Sequence, residues 1–511
     1  MKKAFVFLLA FSALNLSGET NNMTAARIQE LQKTGALVEK DPAYPPVVSY
    51  TLKNGLKLLI LEKHFVPTVS FTIMFKVGNV DNLQGKSGLA HLFEHMAFKG
   101  TRTVNTSNYK KEKGILEKIE KVAVKMAEED RKTSARDEEK LKTLKGELSA
   151  LEAEAEKYLV REEFWKIYNR LGQHDMNAFT STDYTGYVTE LPSNRLEAWM
   201  IMESDRFKNP VLRDFYKERD VVMEELRMGQ ADPNRVMWQA LLSNAFLAHP
   251  YGNPTIGWED DVRHLTRTDA ESFYKNFYVP NNCTVAIVGD VDAATVIKQA
   301  EKYFSGWKGG ELPDTNYTKE PVQNSEKTVK VFFKAKPAVK MGFKIPEFGS
   351  PDSPALIMLS EVLSNGKTSR LYKELVEGKK MALYANSYSG FPGDRYPALF
   401  IIQGAPKAGF SNEALDKALM EEVENLKKNP PTQWELEKII NNYEVSLITQ
   451  LESNAGFSNS LASNDRMLGD WKVSWKILEQ IRKLKPEDIS AAAKKYLVPG
   501  NKTAVHLTEE K

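Results

Sequence analysis

The chain has 511 residues, 42% hydrophobic and 27% charged, a globular composition that excludes fibrous, collagen-like and disordered classes and allows about two to four domains. Its 70 Lys and Arg nearly cancel its 68 Asp and Glu, so no overall field draws it toward nucleic acid or an anionic membrane. A single cysteine, Cys283, excludes an intramolecular disulfide and any zinc site of several thiolates, so a metal here needs His and carboxylate ligands.

Met1-Lys2-Lys3 is a basic head, residues 4–16 are apolar apart from Ser12 and Asn15, and Ser17-Gly18 supplies small residues for cleavage. This predicts a secretory signal peptide over residues 1–18 and export to the periplasm or beyond. The apolar run falls short of the about 20 residues that a membrane span needs, and no later stretch reaches that length without charges. With no cysteine near the cleavage point, no lipid anchor is expected.

After a polar lead-in, residues 47–53 and 56–63 read as strands around a turn at Asn54-Gly55, and residues 68–77 alternate as a third. A helix over 87–98 follows, then a charge-dense segment, 110–163, with very few aromatics. In it Leu141, Leu144, Leu148, Leu151 and Ala155 repeat at three and four residues, as do Ile115, Ile119 and Val122. The pattern predicts an inserted antiparallel helical hairpin, serving either as a solvated spacer or as a docking arm.

Globular patterning resumes at Phe164, with a strand pair over 176–191, helices over 192–207 and 213–230, and a strand over 283–289 that makes Cys283 a small core residue. Residues 306–327, with Gly309-Gly310, Pro313 and Pro321, have the composition of a linker. Strands over 329–333 and 339–345, helices over 355–364 and 369–376, and strands over 383–388 and 398–403 come next. Helices then run over 412–497, interrupted at Asn429-Pro430-Pro431. The predicted class is α+β, with two related α+β domains over 45–305 and 328–508, the first carrying the hairpin insert.

Two of the 7 histidines fall in His91-Leu-Phe-Glu94-His95. At about 100° per residue, His91, Glu94 and His95 lie within an arc of about 100° on one helix face. Two imidazoles one turn apart can reach a single zinc ion, and the carboxylate between them can reach a water on that metal without being a ligand. The order is the inverse of the His-Glu-x-x-His helix. A third ligand is needed, and the helix Phe215-Tyr-Lys-Glu218-Arg-Asp-Val-Val-Met-Glu224-Glu225-Leu226 offers it. Wheel positions put Glu218 and Glu225 within its apolar face, two turns apart, and Glu224 off it. Carboxylates on a buried face must be paired or bind metal. Glu225 is therefore assigned as third ligand and Glu218 as the acceptor that orients a histidine ring.

These motifs, with Asn177-Ala-Phe-Thr-Ser-Thr-Asp-Tyr-Thr, His249-Pro-Tyr-Gly-Asn-Pro-Thr-Ile-Gly, Val288-Gly-Asp-Val and Ser369-Arg-Leu-Tyr-Lys-Glu-Leu, resemble the pitrilysin/insulinase family of zinc metallopeptidases, which includes mitochondrial processing peptidase and half-length bacterial relatives. The resemblance spans about residues 45–507 outside the insert. It implies one zinc per chain on His91, His95 and Glu225, Glu94 as general base and Glu218 in support. It also implies a half clamshell of two related domains that pairs with another half around unfolded peptides. Asn177 and Ala178 match the edge strand on which the family lays substrate as an added strand.

Two departures stand out. The spacing from His95 to Glu225 exceeds the family's by about the length of the insert, which restores it by looping out. The family's second domain also supplies an Arg and a Tyr for substrate binding. Here Val376 occupies the Arg position, Tyr384 fits the Tyr with a one-residue slip, and Arg370 is a weaker substitute for the missing Arg. A homodimer, or a heterodimer with a half-chain that supplies the pair, is therefore expected. The function implied is an exported zinc metalloendopeptidase acting on unfolded peptides. The alternatives are a non-catalytic assembly or binding subunit of the same fold, and a processing peptidase specific for one exported precursor.

Overall fold

The computed structural model describes residues 25–315 and 317–510; the signal peptide expected over 1–18 lies outside the described residues. In the N-terminal half the elements are α1 (Ala25–Lys33), β1 (Leu37–Val38), β2 (Val48–Thr51), β3 (Lys57–Glu62), β4 (Thr68–Phe75), α2 (Leu89–Met96), α3 (Tyr109–Asp130), α4 (Glu138–Glu156) and α5 (Glu163–Leu171). There follow β5 (His174–Thr180), β6 (Thr185–Pro192), α6 (Leu196–Lys208), α7 (Phe215–Gln230), α8 (Pro233–Ala245), α9 (Glu259–Arg263), α10 (Arg267–Phe277), β7 (Cys283–Gly289) and α11 (Ala293–Phe304). The C-terminal half holds β8 (Lys327–Phe333), β9 (Ala338–Ile345), α12 (Ser353–Ser364), β10 (Ala382–Phe391), β11 (Ala398–Pro406), α13 (Asn412–Lys428), α14 (Gln433–Glu452), α15 (Asn454–Leu468), α16 (Val473–Ile481), α17 (Pro486–Tyr496) and β12 (Lys502–Glu509).

Each half is built on one sheet, as an α+β architecture requires. The first has strand order β1-β2-β3-β7-β4-β6-β5 and the second β10-β11-β9-β12-β8. Alternation along β4 sends Val69, Phe71, Ile73 and Phe75 into a core shared with α2, α6 and α7. Strand β7, paired between parallel β3 and antiparallel β4, is buried along its whole length because Val285 and Ile287 face one core and Ala286 and Val288 another. Cys283 opens β7, fully buried, with its thiol pushed up by that burial.

The opposite face of the first sheet is covered from the far end of the chain. Leu59, Leu61, Met74, Ala286 and Val288 pack against Leu447, Leu451, Phe457 and Leu461 of α14 and α15. The Thr72 hydroxyl meets that of Ser458 at 2.9 Å, and Thr284 donates to Asp465 at 2.9 Å. The sequence reading grouped these helices with the second half only, because an amphipathic helix does not state which sheet its apolar stripe will cover.

The hairpin forms as expected from α3 and α4, but it lies on the body of the protein. Ile115, Leu116, Ile119, Val122, Leu144 and Leu148 join the first core, and Glu112 on α3 is buried in an ion pair with Arg213 at 2.6 Å. Helix α2 starts at Leu89 instead of 87, because Gly88 takes φ +83° and a Cβ there would drive into the Ile256 carbonyl. The helix expected over 369–376 is a wider π-type turn, Tyr372–Gly378. The expectations also omit β12, which inserts between β9 and β8 and so completes the second sheet through a pairing distant in sequence.

Candidate metal centre

Helix α2 presents two unlike faces. Leu89, Ala90, Leu92, Phe93 and Met96 are buried in the core, which turns His91, Glu94 and His95 toward a cleft. The helix entry is fixed by Asn82, whose Oδ1 accepts from the Ala90 N–H at 3.0 Å, and by the Ser87 hydroxyl donating to Asp261 at 2.6 Å. Helix α7 packs beside it and delivers Glu218 and Glu225. Its buried stripe is Phe215, Tyr216, Arg219, Val222, Met223 and Leu226, while Val221 is 48% exposed. The two glutamates therefore sit at the margin of the apolar face, not within it as the wheel positions suggested. From that margin Glu218 lines the cleft and Glu225 reaches toward His91 and His95.

One donor atom each from His91, His95 and Glu225 lies within 4.8 Å of the others, and this is the one such His, Cys, Asp or Glu group among the described residues. His91 Nε2 and Glu225 Oε2 are 3.8 Å apart, too far for a hydrogen bond. His95 Nδ1 donates to Glu218 Oε1 at 2.9 Å, which leaves its Nε2 for a metal. Lys99 pairs with the other oxygen of Glu218. Burial, then His95 and Arg235, push His91 down to about 4, so it is a neutral donor near pH 7. Burial alone would raise Glu218, but His95 and Lys99 outweigh it and hold the carboxylate down to about 2. Two imidazole nitrogens and a carboxylate oxygen converging on one point fit the donor chemistry of zinc, and His91 Nδ1 is buried without a hydrogen-bond partner.

Glu94 stands beside this group without belonging to it. Thr180 on β5 donates to its Oε2 at 2.6 Å. Burial raises its pKa above the usual carboxylate range, with Thr180 and His95 opposing. Asn177 and Ala178 lie on the same strand, the open edge of the first sheet, and line a cleft of about 390 Å³ with Glu94, His95, Lys99 and Glu218. One wall is Phe98 stacked on Trp165, ring centroids 5.1 Å apart and 11° from parallel. Asn105, Glu162 and Asp214, with left-handed φ of 65°, 58° and 51°, also line it. Such conformations cost energy and gather where function demands a fixed geometry.

The structure does not bring Tyr384 or Arg370 to this cleft. Tyr384 lies on β10, the edge of the second sheet, 42% exposed. The Arg370 guanidinium bonds the Asn429 and Pro430 carbonyls and reaches Glu435, so it closes the turn between α13 and α14 within its own half of the chain. Val376 packs against the second core. Sequence reasoning assigned no role to Thr180 or Lys99. Lys99 follows His95 by four residues, a readable spacing, whereas the bond from Thr180 to Glu94 depends on how a strand and a helix meet.

The family model described as Insulinase (Peptidase family M16) matches residues 57–140 and 150–259, and that described as Peptidase M16 inactive domain matches residues 264–443. The break leaves α3 inside the matched region, so much of the hairpin aligns with the family. All three clustered donors fall in the first match. The chain is 29% identical to the zinc protease PqqE of Helicobacter pylori over 93% of its own length and 95% of that protein's. It is 22% identical to the uncharacterized zinc protease YmxG of Bacillus subtilis over 87% and 94% of the two chains. Among solved structures, a protease from Helicobacter pylori superposes with a TM-score of 0.75 at 27% identity, covering 91% of this chain and all of that one. The first half of the periplasmic protease PqqL from Escherichia coli shares the fold, with a TM-score of 0.66 at 16% identity over 93% of each chain.

Proposed function

Because the chain belongs to the insulinase family, peptidase family M16, we propose that it is an exported zinc metalloendopeptidase that hydrolyses unfolded peptides or protein segments. The observation that carries this reading is the convergence of His91, His95 and Glu225 within 4.8 Å, beside Glu94 and an open edge strand. One zinc would be held by these three residues. When bound, it supplies a Lewis acid that acidifies a water and polarises the scissile carbonyl.

The remaining chemistry belongs to the chain's own side chains. Glu94 takes the proton of the attacking water and returns it to the departing amine, and its raised pKa suits both steps. Thr180 occupies Oε2, so the base acts through Oε1. Glu218 and Lys99 hold the His95 ring. An extended peptide pairs with β5 near Asn177 and Ala178 and is read through its backbone, a mode that admits many sequences. The basic head and apolar run of residues 1–18 support export. The packing of Val376 against the second core and the bonds of Arg370 within its own domain support a second half-chain, identical or not, as the source of a substrate-binding cation, while Tyr384 stays exposed on an edge strand.

The test is cleavage of a mixed pool of unstructured peptides by the purified mature chain, with and without a metal chelator. Cleavage abolished by chelator and restored by zinc is expected. Cleavage indifferent to chelator would overturn the reading. No cleavage by folded, zinc-loaded protein would direct the search to a companion half-chain.

A further inference from the structure

The surroundings of Glu94 are tied to the second half of the molecule through a buried polar cluster, and we infer that Arg395 is a positioning residue for the peptidase chemistry, setting the β5–β6 hairpin against α2 from the opposite domain. This inference rests on the peptidase reading above. Arg395 lies in the β10–β11 loop and is 8% exposed at its side chain. Its Nη1 and Nη2 donate to the two carboxylate oxygens of Asp81, at 2.9 and 3.2 Å, and its Nη1 also reaches the Asp183 carbonyl at 3.3 Å. Asp183, in the β5–β6 turn, in turn accepts from the Asp394 and Arg395 N–H groups at 2.6 and 3.0 Å and from the Tyr251 hydroxyl at 2.7 Å. Gly393 lies so close to Asp183 that a Cβ there would collide with the carboxylate.

Both acids lead to the site. Asp81 accepts from the Gly78 N–H at 2.8 Å, and the same short segment binds the hairpin turn through Asn79 N to Ser181 O at 3.1 Å and Val80 N to Thr182 O at 2.9 Å. Its next residue, Asn82, holds the first turn of α2, one residue before His91. Ser181 follows Thr180, whose hydroxyl orients Glu94. A loop of the second domain thus fixes the base and the substrate edge strand at once. Bidentate arginine pairing provides this directional control, and a lysine would keep only the charge. Simple domain adhesion would not need it: the Lys472–Glu39 pair, at 2.7 Å, also joins distant parts of the chain but touches nothing near the cleft.

The experiment compares the full mature chain with Arg395→Met, Arg395→Lys, Tyr251→Phe and, as control, Lys472→Met. It measures kcat and KM on an unstructured peptide, zinc content, and hydrogen exchange over residues 177–185. For Arg395→Met we expect kcat to fall at least tenfold with zinc content kept and faster exchange in the hairpin. Arg395→Lys should recover part of the loss, and Lys472→Met should leave kcat and KM unchanged. Folded, zinc-loaded Arg395→Met with parental kcat, KM and exchange would overturn the assignment. Should Arg395→Met not fold, Tyr251→Phe, which deletes one hydroxyl, decides by the same readouts with a smaller change of the same sign. If the unmodified chain cleaves nothing by itself, the search for a companion half-chain follows as above, and exchange in the hairpin alone decides whether Arg395 holds it.

Discussion

Glu94 and Glu218 both act on His95, yet their surroundings push them in opposite directions. Burial raises the proton affinity of Glu94 against the opposing pull of Thr180 and His95; at Glu218 burial acts in the same direction, but His95 and Lys99 outweigh it and hold the carboxylate down to about 2. One carboxylate is suited to moving a proton and the other to fixing a ring. Glu94→Gln should therefore keep zinc at the parental level while kcat drops about 10²–10⁴-fold, read by metal analysis alongside peptide cleavage. A Glu94→Gln protein that turns over at the parental rate would remove Glu94 from the chemistry. The His91-x-x-Glu94-His95 arrangement is legible in sequence because all three residues sit within about one helical turn. Thr180, 86 residues from Glu94, is not.

At the scale of elements, the hairpin is anchored through its first helix. Arg213 and Glu112 form a pair with about 2% exposure on each side, and the guanidinium also binds the carbonyls of Lys99, Thr101 and Val104. Arg213 thus ties α3 to the loop leaving α2 and to the start of α7. Glu112→Ala leaves a charge buried without its partner, at a cost of about 3–5 kcal/mol. Its urea unfolding midpoint should fall accordingly. Lys113→Ala, which breaks the exposed pair to Glu117, should shift it by less than about 0.5 kcal/mol. The linker has a fixed point as well. Burial alone would raise Glu320, but the N–H of Leu247, the Lys344 ammonium and the N–H groups of Ala248 and His249 outweigh it and hold it down to about 2. A depressed carboxylate stabilises the fold above its unfolded pKa, about 4.5, and that contribution is lost as pH falls toward 2. His249, which burial holds down to about 4, takes up its proton within this range. Glu320→Gln should accordingly lower the thermal midpoint at pH 6 and match the parent near pH 2. Equal midpoints at both values would show that Glu320 carries no such contribution.

The molecule as a whole is stitched across its two sheets. Helices α14 and α15 leave the second half to cover Leu59, Leu61, Met74, Ala286 and Val288 on the first. Residues 25–305 expressed alone would expose that face as a contiguous apolar patch, a condition that favours association. They should aggregate or bind a hydrophobic dye, and co-expression with residues 306–510 should restore soluble protein. A soluble, monomeric, dye-silent 25–305 fragment would show that the covering helices are dispensable. The polar cluster at Arg395 joins the two halves at a second, separate point.

The sequence by itself determined the helix that carries the histidines, the placement of Glu218 and Glu225 two turns apart on a second helix, the hairpin, and the general order of strands and helices. Each of these is written in a local period, and a period survives without knowledge of neighbours. Only the tertiary structure decided that α15 covers the first sheet, that β12 pairs between β9 and β8, that Thr180 reaches Glu94, and that Arg370 is committed to the turn between α13 and α14 while Arg395 faces the hairpin. Those outcomes depend on which surfaces meet across hundreds of residues. An apolar stripe or an arginine side chain specifies only that it needs a partner, and packing chooses which one.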